Sequence, residues 1–241
     1  MTPYYDDGQS VIYHGDCRDV MPAIDPASLM LTDPPYGLPK GAGVWRRNGS
    51  AIEDWGNVGH NVAVDGWRDL CKLHSDSWVV EFGLRAADPQ VLTGHVIAGW
   101  EPCNFYAFVK DAPAPTARPM FASAFELAVV SRIGKPKWHG SGYVPNRWSG
   151  MSPNRAGTDM GHPTEKPVSM LIALTTALTA PGELVLDPFM GSGTTLRAAK
   201  DLGRRSIGIE VEERYCEIAA RRLAQGVLSF DNRYPSVTDE P

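Results

Sequence analysis

A succession of strand, helix, strand and helix near the carboxyl end of the chain constrains the fold more than any other feature. The apolar segments "GELVLDPF" (182–189) and "RSIGIE" (205–210) are predicted strands, and the helical segment "TTLRAAKDLG" (194–203) joins them. A further helix is predicted over 211–226. Strands joined through a helix lie parallel in one sheet, with the helix packed on a face of that sheet. This half of the chain therefore predicts a parallel sheet covered by helices.

Five further segments have the composition of strands that are buried on both faces. Each is apolar through its middle instead of alternating between apolar and polar residues. A helix is predicted over 167–182, beginning at a proline and ending at a glycine. We therefore predict an α/β fold with a doubly wound, mainly parallel sheet. The five predicted strands are 10–16, 28–33, 77–83, 104–110 and 125–132.

The length of 241 residues is ample for one α/β domain and marginal for two, so we predict a single domain over 1–241. Two long segments, 38–62 and 133–161, are rich in Gly, Asn, Pro and Trp and lack periodicity, which is typical of functional loops. The end of the chain, 229–241, is predicted to be a frayed tail.

The glycine-rich segment "DPFMGSGTT" (187–195) lies between a predicted strand and a predicted helix, where Gly191 and Gly193 allow a ligand to approach the backbone. A Walker A loop has a Lys after its last Gly, and a dinucleotide-binding loop has a third Gly; this segment has neither. Asp187 suits a cationic ligand, and Glu210, at the end of the next strand, can accept the hydroxyls of a ribose. This combination indicates S-adenosylmethionine; the alternative is a tight turn that binds no ligand.

Basic residues are concentrated locally, although the net charge is −5. Between 132 and 155 there are five basic residues and no acid, with Trp and Tyr interleaved, and a second basic segment surrounds Trp45. This mixture predicts that the two loops, 38–62 and 133–161, face a nucleic acid, because nucleic-acid binding responds to local potential; the alternative is an ordinary solvated surface. The residues predicted to bind the nucleic acid, which the resemblance described below implies to be DNA, are Lys40, Arg46, Arg47, Arg132, Lys135, Lys137, Arg147 and Arg155.

Neither a membrane segment nor a metal site is expected. No apolar run approaches the roughly 20 residues of a membrane span, and the amino terminus lacks the features of a signal peptide. The four Cys and six His do not have the spacing of metal ligands. We therefore expect a cytoplasmic protein with reduced thiols.

Three motifs together resemble one family. "TDPPYG" (32–37), "HPTEKP" (162–167) and "DPFMGSGTT" closely resemble motifs of the DNA amino-methyltransferases, which methylate N6 of adenine or N4 of cytosine with S-adenosylmethionine. The catalytic motif precedes the cofactor loop, as in the circularly permuted β group. The resemblance spans roughly residues 10 to 224. It implies the Rossmann-like fold of S-adenosylmethionine-dependent methyltransferases with one antiparallel strand, and double-stranded DNA as partner of a monomer or homodimer.

The resemblance also implies roles for individual residues. Glu210 would bind the ribose of the cofactor, and Asp16 its adenine amino group, with the backbone of Cys17 alongside. Thr164, Glu165 and Lys166 would lie beside its methionine moiety. The motif Asp33, Pro34, Pro35 and Tyr36 would be catalytic. The cofactor loop would comprise Asp187, Pro188, Phe189, Gly191, Ser192, Gly193 and Thr194.

The chemistry of the catalytic motif agrees with this assignment. An exocyclic amine on a heteroaromatic ring is a poor nucleophile because its lone pair is delocalised. Asp33 and the carbonyl of Pro34 can accept hydrogen bonds from both of its N–H groups, which makes the lone pair available. The prolines stiffen the backbone that aims these acceptors, and Tyr36 can stack on a base extruded from the duplex.

The first residue of the motif favours adenine over cytosine, because in the family Asp-Pro-Pro-Tyr goes mostly with N6 of adenine. The leading hypothesis is therefore a site-specific adenine-N6 DNA methyltransferase of a bacterial cell or phage-infected host. The alternative is methylation of cytosine N4. An RNA or protein-glutamine methyltransferase is disfavoured by the motif order, and a silent DNA-binding relative by the intact motifs.

Overall fold

The computed structural model of the chain describes residues 1–35, 45–47, 50–53, 66–84, 89–111, 124–151 and 165–226. Within these residues, all seven predicted strands and the three predicted helices are present, with ends that differ by a few residues. The strands are β1 (Tyr5–Asp6), β2 (Ser10–His14), β3 (Ala27–Thr32), β4 (Trp45–Arg47), β5 (Ser50–Glu53), β6 (Leu73–Leu84), β7 (Glu101–Lys110), β8 (Phe125–Ile133), β9 (Arg147–Gly150), β10 (Leu184–Asp187) and β11 (Arg205–Glu210). The helices are α1 (Cys17–Val20), α2 (Trp67–Leu70), α3 (Pro89–Ile97), α4 (Val168–Leu178), α5 (Thr194–Asp201) and α6 (Glu213–Ala224), and a 3-10 turn covers Met21–Ala23.

Nine strands form one twisted sheet in the order β1-β2-β11-β10-β3-β6-β8-β7-β9. Strands β2, β11, β10, β3 and β6 are parallel, and β8 runs antiparallel to both β6 and β7. The predicted α/β, mainly parallel sheet is therefore confirmed. The predicted antiparallel strand is β8, and the two-residue edge strand β1 is a second one.

Helices cover both faces of the sheet, as expected for a doubly wound fold. On one face, α4 and α5 pack against Leu29, Leu31 and Val80. On the other face, α1 and α2 pack against Met30 and Val79. All four residues of β10 are buried, which explains why this strand is apolar throughout. None of the helices in the described residues is long and apolar enough to cross a membrane.

The two segments predicted to be loops contain strands. The four-residue β9 pairs in parallel with β7 at the edge of the sheet, within 133–161. Strands β4 and β5 pair with each other within 38–62. These strands were not predicted, because short strands with few apolar residues leave no periodic pattern; the DNA-facing role of the two segments stays a prediction. The predicted tail and the predicted site residues Tyr36, Lys40, Arg155 and Thr164 lie outside the described residues.

Candidate active site

Four acids lie at the carboxyl ends of four neighbouring parallel strands. Asp16 follows β2, Glu210 ends β11, Asp187 ends β10 and Asp33 follows β3. Parallel strands end at one edge of their sheet, so this row of acids lies along a single edge, where ligands of open α/β sheets bind. We call it the carboxyl edge. The catalytic and cofactor motifs are neighbours at this edge, although Asp33 and Asp187 are 154 residues apart in sequence.

A buried hydrogen bond joins these two motifs directly. The hydroxyl of Thr32, next to Asp33, donates to Oδ1 of Asp187 at 2.8 Å. The backbone N–H of Phe189 donates to the same oxygen at 3.1 Å. Burial raises the pKa of Asp187 to about 6, although the hydroxyls of Thr195 and Thr32 favour its charged form. A buried carboxylate of this kind is suited to a ligand that carries positive charge.

Glu210 is held by the backbone of the cofactor loop. Its Oε2 accepts the N–H of Gly191 at 3.0 Å, and its Oε1 accepts the N–H of Glu212 at 2.9 Å. Burial raises the pKa of Glu210 to about 7. The two N–H donors fix the carboxylate beside the loop.

Gly193 of the cofactor loop and Gly208 of β11 are required for close packing. Gly193 has a φ of +78°, which side chains rarely adopt, and a Cβ there would lie 2.7 Å from Cβ of Ala219 in α6. In β11, a Cβ on Gly208 would lie 2.5 Å from Sδ of Met190. The loop therefore runs directly on α6 and on β11.

Arg222 in α6 is a site residue that the sequence analysis missed. Its Nη1 donates to the backbone carbonyl of Ser192 at 2.6 Å, and its Nη2 donates to Oε1 of Glu165 at 2.9 Å. The hydroxyl of Ser192 donates to Oε2 of Glu165 at 3.1 Å. Arg222 is only 5% exposed. The signal that could have found Arg222 is its position three residues after Ala219, which places it on the apolar stripe of an amphipathic helix.

Asp16 is engaged with the residues that follow it. Its Oδ1 accepts the backbone N–H of Arg18 at 2.8 Å, which caps α1, and Arg18 also pairs with it through its guanidinium. The N–H of Gly15 donates to the carbonyl of Glu210 at 2.9 Å, which joins the ends of β2 and β11. Burial raises the pKa of the Cys17 thiol to about 12, so this thiol is not a reactive thiolate.

Asp33 lies in a chain of alternating charges. The ammonium of Lys166 donates to Oδ2 of Asp33 and is 3.1 Å from Oε2 of Glu126. Lys110 is 2.5 Å from Oε1 of Glu126. The structure thus places Lys166 against Asp33, and its place beside the methionine moiety of the cofactor stays a prediction. Glu126 and Lys110 were missed because single charges at the ends of β8 and β7 carry no sequence signal.

A second buried polar network supports the cofactor loop from the other face of the sheet. Glu81 accepts hydrogen bonds from Arg68 and lies 2.9 Å from Nε2 of His95, and Nδ1 of His95 lies 2.7 Å from the hydroxyl of Ser131. The guanidinium of Arg68 stacks on Trp67, whose ring meets the ring of Phe189 edge to face at 5.1 Å. Ser131, His95 and Glu81 have no exposed surface, so this row is structural and not a nucleophilic triad.

The predicted DNA-binding residues fall at different ends of the sheet. Because β8 is antiparallel, Arg132 and the following Lys135 and Lys137 lie at the amino ends of the parallel strands: Arg132 pairs with Glu101, and the N–H of Lys135 donates to Asp76. Arg147 begins β9, which runs towards the carboxyl edge, and its side chain is exposed. The structure does not bring Arg132, Lys135 or Lys137 near Asp33. The side chains of Arg46 and Arg47 are outside the described residues.

Comparison with known proteins agrees with this geometry. The family model described as DNA methylase matches residues 27–221. The Type II methyltransferase M2.DpnII of Streptococcus pneumoniae is 27% identical over 249 residues, which cover 92% of this chain and 92% of that protein.

Solved structures share the fold at lower identity. The crystal structure of the M1.HpyAVI–SAM complex aligns with a TM-score of 0.70 and 23% identity, covering 90% of this chain and 100% of that one. The cytosine-N4-specific PvuII DNA methyltransferase aligns with a TM-score of 0.68 and 19% identity, covering 94% of this chain and 90% of that one. Since the family match spans most of the sequence, the chain belongs to the DNA methylase family and is a DNA methyltransferase that uses S-adenosylmethionine.

Proposed function

We propose that this methyltransferase modifies the exocyclic N6 of adenine in double-stranded DNA. The observation that carries the assignment to adenine is Asp33 as the first residue of the motif, and the Thr32–Asp187 hydrogen bond of 2.8 Å joins this motif to the cofactor motif. Asp187, Glu210, Asp16 and the glycine loop form a set of donors and acceptors that fits a ligand with a ribose and positive charge. Bound S-adenosylmethionine supplies an electrophilic methyl group at this edge.

The residues of the chain activate and orient the amine. The carboxylate of Asp33 and the carbonyl of Pro34 accept its two hydrogen bonds, so that the nitrogen lone pair points at the methyl group. Pro34 is buried and Pro35 is partly buried, which holds these acceptors in place. Asp187, Glu210 and Asp16 would hold S-adenosylmethionine, which would supply the methyl group and leave as a neutral thioether, and the proton that the amine loses would pass to solvent. Most of the acceleration comes from orientation of the two reactants.

The target base has to leave the duplex, because its amine cannot reach a site at the sheet edge while it is paired and stacked. Tyr36, directly after the prolines, is proposed to stack on the extruded base. We also propose that the reaction takes place on DNA in the cytoplasm of a bacterial cell or of a phage-infected host, which the bacterial origin of the relative M2.DpnII supports.

The assignment to adenine rests on Asp33 as the first residue of the motif. The alternative substrate is N4 of cytosine, because the family includes enzymes of both kinds and the fold is shared with a cytosine-N4-specific enzyme. The test is to methylate plasmid DNA with the purified protein, digest it to nucleosides and identify the product by mass spectrometry. We expect N6-methyladenine; N4-methylcytosine alone would overturn the adenine assignment.

Replacement of Asp33 by Ala tests the catalytic role of this residue. We expect the single-turnover rate of methyl transfer to fall by roughly 100-fold or more, because the charged acceptor of the amine is lost. Binding of S-adenosylmethionine, measured by calorimetry, should change little. Asp25→Ala, which alters an exposed acid ahead of β3, is the matched control and should retain the full rate. Full activity of Asp33→Ala would remove Asp33 from the mechanism.

A further inference from the structure

Glu126, near the start of β8, has no assigned role, yet only the ammonium of Lys166 separates its carboxylate from that of Asp33. Asp33, Lys166, Glu126 and Lys110 form a continuous row of alternating charge along the carboxyl edge. We propose that Glu126 is a positioning residue for methyl transfer, which holds the ammonium of Lys166 when Lys166 releases Asp33 to the incoming amine. This inference rests on the proposed role of Asp33 as the acceptor of that amine.

Lys166 is confined beside the two carboxylates. Its side chain is 7% exposed, and its ammonium lies over the ring of Phe82 at 5.2 Å from the ring centre. The next residue, Pro167, is the N-cap of α4, and its carbonyl accepts the N–H groups of Met170 and Leu171. The start of α4 therefore fixes the backbone from which the buried Lys166 side chain extends.

The ammonium of Lys166 and the substrate amine compete for the same acceptor. Both donate hydrogen bonds, and in the structure Lys166 already donates to Oδ2 of Asp33. A buried ammonium with one anionic partner would remain on that partner, because an unpaired buried charge is costly. Glu126 provides a second anionic partner at 3.1 Å, so a small movement transfers Lys166 from one carboxylate to the other.

Lys110 fixes the orientation of Glu126. It is 2.5 Å from Oε1, which leaves Oε2 directed at Lys166. Burial raises the pKa of Glu126, but the ammonium groups of Lys166 and Lys110 outweigh this effect and lower it to about 2. Glu126 is therefore a carboxylate at neutral pH.

The test is a double-mutant cycle between Glu126 and Lys166 on the single-turnover rate, with DNA and S-adenosylmethionine both saturating. Glu126→Gln keeps the size of the side chain and removes its charge, so Lys166 should stay on Asp33 and the rate should fall by about tenfold. In a Lys166→Gln background, where the Lys166 ammonium no longer competes for Asp33, the same substitution should change the rate by less than about twofold. The affinities of Glu126→Gln for cofactor and for DNA, measured separately, should remain close to those of the parent protein.

Two outcomes would overturn the proposal. An equal loss of rate in both backgrounds would mean that Glu126 acts on the fold and not through Lys166, and an unchanged rate for Glu126→Gln alone would remove its role. Glu101→Gln is the matched control, because Glu101 pairs with Arg132 between the same two strands at the opposite edge. It should leave the rate unchanged, while Lys110→Gln should lower it in the same direction as Glu126→Gln.

Thermal unfolding and cofactor binding of every variant show whether it is folded. The nucleoside produced by the unmodified enzyme is identified in the same preparations, so failure of the adenine assignment is read independently of the cycle. The double-mutant cycle tests the role of Glu126 whether the methyl group goes to N6 of adenine or to N4 of cytosine, because both amines need Asp33 as acceptor.

Discussion

Gly193 shows how one residue can serve both the fold and the cofactor site. Its φ of +78° permits the turn that begins α5, and the absence of a side chain lets the loop lie against Ala219 of α6. The sequence analysis attributed this glycine to the approach of a ligand. Contact between the loop and α6 is an additional reason, and it was not visible in the sequence because 26 positions separate the two residues.

Gly193→Ala is expected to destabilise the protein by about 3 kcal/mol, because it combines backbone strain with a steric clash. Gly203→Ala is the matched control: its φ is +70°, but nothing lies within 4 Å of the added Cβ, so only strain of about 1 kcal/mol is expected. Denaturant unfolding measures both. Equal losses for the two variants would contradict the packing role of Gly193.

At the scale of elements, helix α6 is fixed to the cofactor site by the buried pair of Arg222 and Glu165. Removal of one member of a buried ion pair leaves the other charge uncompensated. Arg222→Met should therefore lower the free energy of unfolding by about 3 kcal/mol and weaken binding of S-adenosylmethionine, since Ser192 loses its guanidinium partner.

The neighbouring Arg221 provides the control for this prediction. Its side chain is 77% exposed and pairs with Glu217 on the helix surface, so Arg221→Met should change stability by less than about 1 kcal/mol. Calorimetric titration with the cofactor and denaturant unfolding distinguish the two variants. The prediction is wrong if Arg221→Met and Arg222→Met weaken cofactor binding to the same extent.

The central strands and the longer helices could be predicted because burial on both faces leaves continuous apolar runs, as in β10. The edge strand β9 could not, because its residues are exposed or half-buried and it pairs on one side only. Helix α3 was missed as well: its nine residues include a glycine and His95, which is buried by the Glu81 network and not by apolar packing.

The site was predictable where a motif fixes local chemistry and unpredictable where contacts cross the fold. Asp33, Asp187 and Glu210 each end or follow a strand, so their common edge follows from the parallel topology. The contact between Lys166 and Asp33 spans 133 residues, and the contact between Lys110 and Glu126 depends on the register of two antiparallel strands. Neither is encoded in a local pattern.

For the molecule as a whole, the acids of the carboxyl edge predict how cofactor binding depends on pH. Burial raises the pKa of Asp187 to about 6 and that of Glu210 to about 7 in the free protein. As the pH falls through this window both acids bind protons, and neutral carboxyl groups attract a positively charged ligand less. Affinity for S-adenosylmethionine should therefore fall by about tenfold from pH 7.5 to pH 6.

Calorimetric titrations across this range, in buffers of different ionisation enthalpy, measure both the affinity and the protons released on binding. Glu210→Gln should bind more weakly at pH 7.5 and show a smaller dependence on pH, because only Asp187 then titrates in the window. An affinity that stays constant between pH 6 and pH 7.5 in the parent protein would contradict the prediction.

The end of the sheet at which a basic residue lies predicts whether that residue contacts DNA. The backbone N–H of Lys135 donates to Asp76, which lies six positions before Phe82 on β6. Thr32, next to Asp33, pairs with the residue before Phe82. Lys135 and Asp33 are therefore about 20 Å apart along the sheet. Arg147, in contrast, lies on β9, which runs in parallel with β7 towards Lys110 at the carboxyl edge. DNA that delivers a base to Asp33 should therefore contact Arg147 and not Lys135.

Arg147→Gln should weaken binding to a duplex and reduce the slope of log affinity against log salt by about one, whereas Lys135→Gln and Lys137→Gln should leave both unchanged. The difference arises because each cation that contacts a phosphate releases one counterion equivalent on binding. Fluorescence anisotropy over a salt series measures the slopes. A reduced slope for Lys135→Gln would mean that DNA also follows the amino ends of the strands, and an unchanged slope for Arg147→Gln would exclude β9 from the interface.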